Sequence, residues 1–449
     1  MATTKLATSD PGGARTFHTV TANRIRLAVL IRGHPGRAAG RGLGMEATRT
    51  IRSALRGLVG PKALRGWAEG ALLRPVSWDV LVVGGGVLGW SVAHHLARAG
   101  VHRILVVDRG GGSTERATGG FRAQFATEVN VRLSLLSRQK LLAFQDETGV
   151  DPGYRPVGYL FLAATDAQRR QLAAALEVQR ACGCADAALV DVEDARRLAP
   201  CIRTDGVVGG TFSPRDGFIR PLEIRRGYLE SALHAGVERL AADVTGLSRR
   251  GDVLRVETSA GTHEAARVVN AAGAWAGRLG ALAGVDVPVT PLRRQVARTA
   301  PTNVLAPSTP MTIFADGFHF RVRDDHVLLL WPTDGAADPF DVSVEPGWTE
   351  QVVTAARERV PALAGVPVAS TYAGLYEMSP DEHALLGPAH GLEQLFLVNG
   401  SSGHGVMHSP ALGQLAAEML TGRAPSLDVH ALRPSRFAEG APNPVRRLL

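Results

Sequence analysis

Long hydrophobic runs, cysteine and lysine are scarce in this 449-residue sequence. No segment approaches the roughly 18 uninterrupted apolar residues of a membrane-spanning helix, so we expect no such helix. The three cysteines, Cys182, Cys184 and Cys201, are too few for a disulfide framework. The spacing of the first two does not match a CxxC zinc or redox motif, so we expect no metal site. No lysine follows Lys140, so an active site built from later segments must work without one.

The net charge of +8 is concentrated at one end of the chain. Thirteen of the 50 Lys and Arg residues, but three of the 42 Asp and Glu residues, precede Val76. The remainder therefore carries nearly equal numbers of both signs. A nucleic-acid-binding protein should carry its basic surface on the folded part, so the charge distribution argues against a nucleic-acid partner.

Residues 1–75 have no steady hydrophobic period and are rich in Arg, Gly and Ala, which predicts a disordered or weakly helical extension. Two interpretations remain open. The Arg enrichment and the helical spacing of Ile51, Leu55 and Leu58 fit a transit peptide and a mitochondrial location, although serine is scarce. The segment also fits an over-extended start with Met45 as the true initiator. We favour this second interpretation and a cytoplasmic location.

A strand–helix–strand unit follows the extension. The apolar run at 79–83 ends in glycines and predicts a buried parallel strand. Residues 87–99 predict a helix, and residues 103–108 predict a second buried strand. This order indicates the beginning of a Rossmann-type domain.

The rest of the chain predicts a mixture of helices and strands. Helices are predicted at 130–147, 167–180, 221–235 and 410–420, and strands at 158–163, 239–247, 253–258, 266–271 and 395–398. From Pro288 to Leu330 the pattern is richer in strands. There Phe318, Phe320 and Val322 alternate with polar residues, which predicts an antiparallel sheet. The expected fold class is α/β, a Rossmann-type domain with an interleaved α+β domain that carries a mixed or antiparallel sheet.

The loop after the first strand carries the strongest functional motif, Gly84-Gly85-Gly86-Val87-Leu88-Gly89. In this GxGxxG pattern Gly84 permits a tight turn, Gly86 lets the backbone approach a pyrophosphate, and Gly89 lets the helix pack closely on the strand. Asp108 ends the second strand and is placed to bind a ribose hydroxyl. The helix start adds N–H groups for phosphate, so the segment predicts a dinucleotide site, with NAD and FAD both open.

Several further motifs occur in the order in which one flavoprotein family carries them. They are Val106-Val107-Asp108-Arg109, Thr114–Phe125 with Gly119-Gly120-Phe121-Arg122, Val269–Trp275, Tyr376–Asp381 and Gly400–Gly405. Over residues 78–425 the sequence resembles the FAD-dependent amine oxidoreductases that include D-amino-acid oxidase, glycine oxidase and sarcosine oxidase. Within them it looks most like the flavin subunits of proline and opine dehydrogenases.

The resemblance implies FAD as the cofactor. The residues expected to bind it are Gly84, Gly86, Val87, Leu88, Gly89, Asp108, Arg109, Thr114, Gly119, Gly120, Val244, Gly273, Trp275, Gly403, His404, Gly405, Val406 and Met407. In the family the glycine loop near the C-terminus directs N–H groups toward the flavin, where they stabilise the charge of its reduced form. An FAD-binding domain is expected from 76–165, 236–285 and 373–430, a substrate domain from 166–235 and 286–372, and a tail from 431–449.

Two departures from the family pattern imply that FAD is held without a covalent bond. In monomeric sarcosine oxidase a cysteine before the Tyr…Pro-Asp motif bonds FAD, and Gly374 stands at that position here. In members of the dimethylglycine dehydrogenase type a histidine makes the bond, and the matching residue here is Ala117.

The resemblance also suggests where a substrate carboxylate binds. Arg122 aligns with an arginine that holds this group in sarcosine oxidase-like members, but the usual partner lysine is replaced by Met407. Arg321 is a second candidate for the clamp. Tyr376 and His319 are candidates for the same pocket, although an isolated histidine is more often structural.

The activity implied by the resemblance is oxidation of a C–N bond in an amino acid or related amine. A hydride passes from the α-carbon to flavin N5, and water hydrolyses the resulting imine. The lysine that helps oxygen react in sarcosine oxidase-like enzymes is absent, so we favour a dehydrogenase that passes electrons to a protein or a quinone.

Two alternatives belong to other functional classes. The first is a respiratory-chain assembly or scaffold protein that retains FAD with little or no amine turnover, since the sequence also resembles a mitochondrial flavoprotein that assists complex I. The second is an NAD-dependent dehydrogenase. The glycine loop near the C-terminus argues against it, because a nicotinamide enzyme has no use for that motif.

Overall fold

The computed structural model describes residues 4–9, 15–20, 76–333 and 336–448. The chain divides into two units, Met1–Arg74 and Pro75–Leu449. In the first unit the strands β1 (Thr4–Ser9) and β2 (Arg15–Val20) pair antiparallel, where the sequence predicts no strand. The rest of the predicted extension, with its proposed transit-peptide helix and its alternative start at Met45, lies outside the described residues.

The second unit alternates strands and helices. Its strands are β3 (Val76–Val83), β4 (Ile104–Asp108), β5 (Gly120–Phe121), β6 (Tyr159–Ala163), β7 (Ala188–Val190), β8 (Gly209–Ser213), β9 (Gly217–Phe218), β10 (Glu238–Ala241), β11 (Val244–Arg250), β12 (Val253–Thr258), β13 (Gly261–Asn270), β14 (Thr290–Thr299), β15 (Met311–Ile313), β16 (His319–Arg323), β17 (His326–Leu330), β18 (Val368–Met378), β19 (Leu385–Ala389) and β20 (Leu392–Asn399). Its α-helices are α1 (Val87–Arg98), α2 (Glu128–Thr148), α3 (Asp166–Ala181), α4 (Val192–Leu198), α5 (Pro221–His234), α6 (Ala276–Leu282), α7 (Trp348–Arg359) and α8 (Gly405–Leu420).

The first large sheet is the Rossmann-type sheet that the sequence predicts. Strands β10, β4, β3, β13 and β20 run parallel in that order, while β12 and β11 continue antiparallel from β13 and β19 pairs antiparallel with β20. Helix α1 packs against α5 and α8. Leu81, Val82 and Val106 are among the strand residues with no or almost no exposed surface. Strands buried on both faces must be continuously apolar, which explains the short Val- and Leu-rich runs.

The second large sheet has the order β18-β14-β17-β16-β15-β6-β8-β7. Its pairs are antiparallel except for β6 with β15, so the sheet is mixed, as predicted. The predicted alternation along β16 is confirmed. Phe318 and Phe320 are fully buried in a cluster with Trp348 of α7, whereas the Arg321 side chain lies on the other face.

Two predicted elements differ from the structure. The single strand expected at 239–247 is divided into β10 and β11, which lie at opposite edges of the first sheet. Helix α8 begins at Gly405 rather than at Pro410. A proline within a helix leaves the carbonyl four residues earlier without its N–H donor. Here the Ser409 hydroxyl donates to that carbonyl, the oxygen of Val406, at 2.8 Å, so the helix tolerates Pro410.

Three elements lie elsewhere than the predicted domain segments place them. Strand β6 belongs to the second sheet although it falls in the segment 76–165. Helix α5 packs on α1, on the Rossmann side, although it falls in 166–235. Strand β18 crosses the predicted boundary at 372 and pairs along its length with β14. Strand pairing and helix packing decide these memberships, and neither is visible in a local pattern. No helix among the described residues is long and apolar enough to cross a membrane.

Candidate cofactor and substrate site

The glycine loop between β3 and α1 is closed tightly on its neighbours. Gly84 has a φ of +108°, a backbone conformation that favours glycine, and a Cβ there would overlap the Ala271 carbonyl. A Cβ at Gly89 would overlap the carbonyl oxygen of Gly84. Both positions therefore exclude any side chain, as the GxGxxG pattern predicts, because α1 begins almost in contact with the end of β3.

The start of α1 faces a cavity of about 430 Å³, with Gly86, Val87 and Leu88 in its wall. The first turn carries no acidic residue. The N–H of Val87 donates to Thr114 Oγ1 at 3.1 Å, which fixes the next loop against the helix start. A helix N-terminus carries partial positive charge and unpaired N–H groups, so this wall suits the phosphates of a dinucleotide.

Asp108 ends β4 at the same edge of the sheet and lines the cavity. Arg225 of α5 reaches over the loop: its Nε donates to the Gly85 carbonyl at 2.8 Å, and its Nη2 lies 3.9 Å from Asp108 Oδ2. Arg225 is not among the site residues predicted from the sequence. No local pattern identifies it, because its role depends on the packing of α5 against α1.

The two large sheets both contribute to the cavity wall. The predicted cofactor residues in this wall are Gly84, Gly86, Val87, Leu88, Asp108, Arg109, Thr114, Val244, Gly273, Trp275, Gly403, Gly405 and Val406. The guanidinium of Arg109 lies 4.6 Å from the centre of the Trp275 ring, so these two side chains form a stacked pair at the wall. The second sheet contributes Arg294, Val296, Leu330 and Tyr376.

Four other predicted cofactor residues do not line the cavity but pack close to residues that do. Gly89 holds α1 against β3, as described above. A Cβ at Gly119 would overlap the Ile219 carbonyl, and one at Gly120 would overlap the Tyr159 hydroxyl, so both glycines permit close packing of the loop. Met407 lies in the first turn of α8, and its side chain is buried in the hydrophobic core.

The fifth predicted cofactor residue outside the wall is His404. Its side chain contacts the side chain of Arg122. Arg122 Nη2 lies 3.1 Å from His404 Nε2, and another N–H donates to the Gln124 carbonyl. The guanidinium also lies over the Phe125 ring. Burial and the charge of Arg122 hold the pKa of His404 well below its usual value, so His404 accepts this hydrogen bond as a neutral ring. The pair adjoins the cavity wall next to Gly403 and Gly405.

Arg321 holds a loop rather than facing the cavity. Its Nη1 donates to the carbonyls of Thr118 and Gly119, and its guanidinium lies 3.8 Å from the centre of the Phe218 ring. Burial lowers its pKa to about 10. The strand face predicted for Arg321 is observed, but its side chain is hydrogen-bonded to the backbone of Thr118 and Gly119 and is not among the residues that line the cavity.

Tyr376 and Arg294 form the polar part of the second-sheet wall. The Arg294 guanidinium lies 5.6 Å from the centre of the Tyr376 ring, and its Nη1 donates to the Thr333 carbonyl at 3.0 Å. His319 Nδ1 lies 2.8 Å from the Gly317 carbonyl, and burial lowers its pKa to about 4. His319 is therefore a neutral, anchored ring near this wall. Arg294 is not among the site residues predicted from the sequence, although its strand partner Gly374 stands at a cofactor position.

Glu377 lies within the Tyr376–Asp381 motif but is not among the site residues predicted from the sequence. Its side chain lines the cavity, and Oε1 accepts the N–H of Ser401 at 3.2 Å. Oε2 is buried without a hydrogen-bond partner among the described residues. Burial raises the pKa of Glu377 to about 7. The sequence feature that could have identified Glu377 is a carboxyl group beside apolar residues of a strand.

Comparison with known proteins identifies the cofactor. A profile of the family described as FAD dependent oxidoreductase matches residues 79–419. FAD-dependent oxidoreductase domain-containing protein 1 from Bos taurus is 31% identical over 425 residues, which cover 82% of this chain and 86% of that protein. Mitochondrial dimethylglycine dehydrogenase from Rattus norvegicus is 27% identical over 429 residues, which cover 88% of this chain and 50% of that protein.

A solved structure agrees with this match. The crystal structure of L-proline dehydrogenase from P. horikoshii has a TM-score of 0.76 at 27% identity, and the match covers 82% of this chain and 100% of that one. The glycine loop, the helix start and Asp108 fit a dinucleotide, and the family match decides between NAD and FAD. The chain belongs to the FAD-dependent oxidoreductase family, and FAD is its cofactor.

Proposed function

We propose that the protein oxidises the C–N bond of an amino acid or a related amine. The observation that carries this proposal is the second-sheet wall, where Arg294 and Tyr376 stand beside Val296 and Leu330 in the cofactor cavity. A planar guanidinium is the natural partner of a substrate carboxylate, and apolar neighbours suit the carbon skeleton of an amino acid.

The electrostatics of this wall favour an anionic group. The positive charges of Arg294 and Arg122 both act on Tyr376, although burial still raises the pKa of its phenol. Tyr376 therefore remains a neutral hydroxyl that can donate to a carboxylate. Glu377 follows Tyr376 in the cavity wall, and burial raises its pKa to about 7, so this carboxyl group offers little opposing charge below neutral pH.

The proposed reaction needs orientation more than acid–base catalysis. Bound FAD would supply the hydride acceptor for the α-carbon of the neutral amine, which would become an iminium ion. Water would then add to this ion and release a carbonyl compound and a protonated amine. The protein's residues bind the carboxylate, exclude water and set the reacting carbon near the cofactor. The names of two relatives support this class, because L-proline and dimethylglycine both carry a carboxylate beside a secondary or tertiary amine.

Anaerobic mixing with a panel of amines tests the proposal. We expect the flavin absorbance to be bleached by proline, an N-alkyl glycine or another amino acid. Amines that lack the carboxylate serve as the matched control and should react far more slowly. A protein that retains FAD but is bleached by no amine would contradict the proposal and favour the assembly or scaffold alternative.

We also propose a protein or a quinone as the electron acceptor. The family's oxygen-assisting lysine is absent from the sequence, and Lys140, the one lysine after residue 75, lies on α2 and pairs with Glu147 at 3.7 Å. Lys140 is not among the residues that line the cavity. After bleaching, we expect slow recovery of colour in air and fast recovery with a soluble quinone. Rapid recovery in air would instead indicate an oxidase.

Non-covalent attachment of FAD is proposed from two positions in the cavity wall. Ala117 and Gly374 both line the cavity, and neither carries a nucleophile. We expect acid precipitation of the purified protein to leave a colourless pellet and release all of the FAD into the supernatant. Colour that stays with the pellet would show a covalent bond.

The clamp is tested by Arg294→Met. Loss of a charge-assisted contact to the carboxylate should raise KM about 30-fold and leave kcat within about threefold, because the contact is made before the reaction begins. Arg298→Met is the matched control, since Arg298 lies on the same strand but is exposed. If KM is unchanged in Arg294→Met but rises in Arg122→Met, the clamp is Arg122.

A further inference from the structure

The Glu377 carboxyl lies between two loops that line the cofactor cavity. Strand β18 carries it to the carboxyl edge of the first sheet, where Oε1 accepts the Ser401 N–H. A Cβ at Gly273, in the loop after β13, would lie 3.7 Å from Oε2, and one at Gly405, after β20, would lie 3.5 Å from Oε1. The two loops that contact FAD in this family thus meet at one acidic side chain.

One oxygen of this carboxyl, Oε2, is buried and has no hydrogen-bond partner among the described residues. A buried polar atom that stays unpaired costs about 1 to 3 kcal/mol, so such atoms in native proteins normally bond a ligand or ordered water. Glu377 is one of the residues that line the cofactor cavity, so the bound cofactor is the ligand within reach of its carboxyl group.

The hydrogen bonds also distinguish the two oxygens. Oε1 accepts an N–H and therefore acts as the carbonyl oxygen, which leaves Oε2 to carry the proton of a neutral acid. Burial raises the pKa of Glu377 to about 7. Bound FAD removes the remaining solvent from the cavity and adds the negative charge of its diphosphate, and both effects favour the protonated acid further.

We propose that Glu377 is a cofactor-positioning residue that keeps a proton on Oε2 and donates it as a hydrogen bond to an acceptor atom of bound FAD. This role is independent of the amine that the protein oxidises. It also makes FAD affinity depend on pH, because ionisation replaces a donor with a negative charge beside the cofactor. The affinity is therefore full below the pKa of this carboxyl and falls as the pH rises through it.

The neighbouring titratable groups do not produce the same dependence. Tyr376 precedes Glu377 on β18 and has a raised pKa, whereas His404 in the adjoining loop has a pKa well below its usual value. The charged groups on the elements packed around β18 include the guanidinium groups of Arg116 and Arg294. A change in FAD affinity near neutral pH is therefore expected from Glu377.

The test measures the FAD dissociation constant of reconstituted protein by flavin fluorescence from about pH 5.5 to about pH 9. Wild-type protein should bind about tenfold more weakly at the alkaline end. Glu377→Gln keeps an N–H donor, so it should match wild-type affinity at acidic pH within about threefold and lose the pH dependence. Glu377→Ala should bind about tenfold more weakly at every pH. The exposed Glu393→Gln is the matched control and should behave as wild type.

Two results would overturn the assignment. If Glu377→Gln binds FAD as weakly as Glu377→Ala, the carboxylate accepts a bond from the cofactor rather than donating one. If Glu377→Gln retains the wild-type pH profile, Glu377 makes no titrating contact with FAD. If Glu377→Ala fails to fold, as judged by circular dichroism, the pH dependence of FAD affinity in Glu377→Gln compared with wild type still tests the proposal. The readout is cofactor binding alone, so absence of amine turnover does not affect it.

Discussion

Gly89→Val should weaken FAD binding about a thousandfold, or abolish it. A Cβ at this position overlaps the carbonyl oxygen of Gly84, so the start of α1 must move away from the end of β3. Gly86, Val87 and Leu88 then leave the cavity wall, and the helix start no longer faces the phosphates. A thousandfold change corresponds to about 4 kcal/mol of binding free energy. Fluorescence titration of the reconstituted protein measures it.

The control for this substitution is Gly365→Val. Gly365 is exposed and has an ordinary φ, and a Cβ there meets no atom within 4 Å, so FAD binding should be unchanged. Circular dichroism of the apoprotein should show that Gly89→Val keeps most of its helix and strand content, because the strain is local. Normal FAD affinity in Gly89→Val would mean that α1 does not supply the phosphate site.

Asp381→Asn should lower the free energy of unfolding by about 3 to 5 kcal/mol, because it breaks a buried ion pair. Arg436 has no exposed surface, and its Nε and Nη2 each donate to Asp381 at 2.8 Å. The backbone N–H of Asn443 donates to the same carboxylate at 3.0 Å. Asp381 therefore ties the C-terminal segment to the end of β18. Neutralising it leaves the Arg436 charge buried and uncompensated.

The pH dependence of stability gives a second readout for this pair. Burial by itself raises the pKa of Asp381, but hydrogen bonds from Arg436 and Asn443 outweigh that effect and lower it to about 2. The folded-state pKa lies below the unfolded one, so the stabilisation is full above about pH 4 and is lost as the pH falls toward about 2. Asp381→Asn should remove this contribution to the acid sensitivity.

Urea unfolding at neutral pH and at about pH 3 measures both effects. Glu382→Gln is the matched control, because the neighbouring Glu382 pairs with Arg447, whose side chain is largely exposed. That pair should contribute about 1 kcal/mol or less. Equal losses in the two variants would show that the Asp381–Arg436 pair contributes no more than a surface contact.

The sequence alone determined the features that depend on local conformation. The apolar run of β3 and the glycines that follow it require a particular backbone path, so the strand, the turn and the start of α1 were predictable from residues 79–99. The alternation around Phe320 likewise fixed which face of β16 is buried. The order of the family motifs indicated FAD as the cofactor, whereas the GxGxxG pattern by itself left both NAD and FAD open.

Only the tertiary structure decided which charged side chains reach the cavity. Arg321 and Arg294 both lie on strands of the second sheet, yet Arg321 is bonded to the Gly119 backbone while Arg294 stands in the cavity wall. The tertiary structure likewise decides that one oxygen of Glu377 is buried without a partner among the described residues, and that Arg225 bonds to the glycine loop. Strand register and helix packing bring together residues far apart in the chain, and a local hydrophobic pattern carries no record of those contacts.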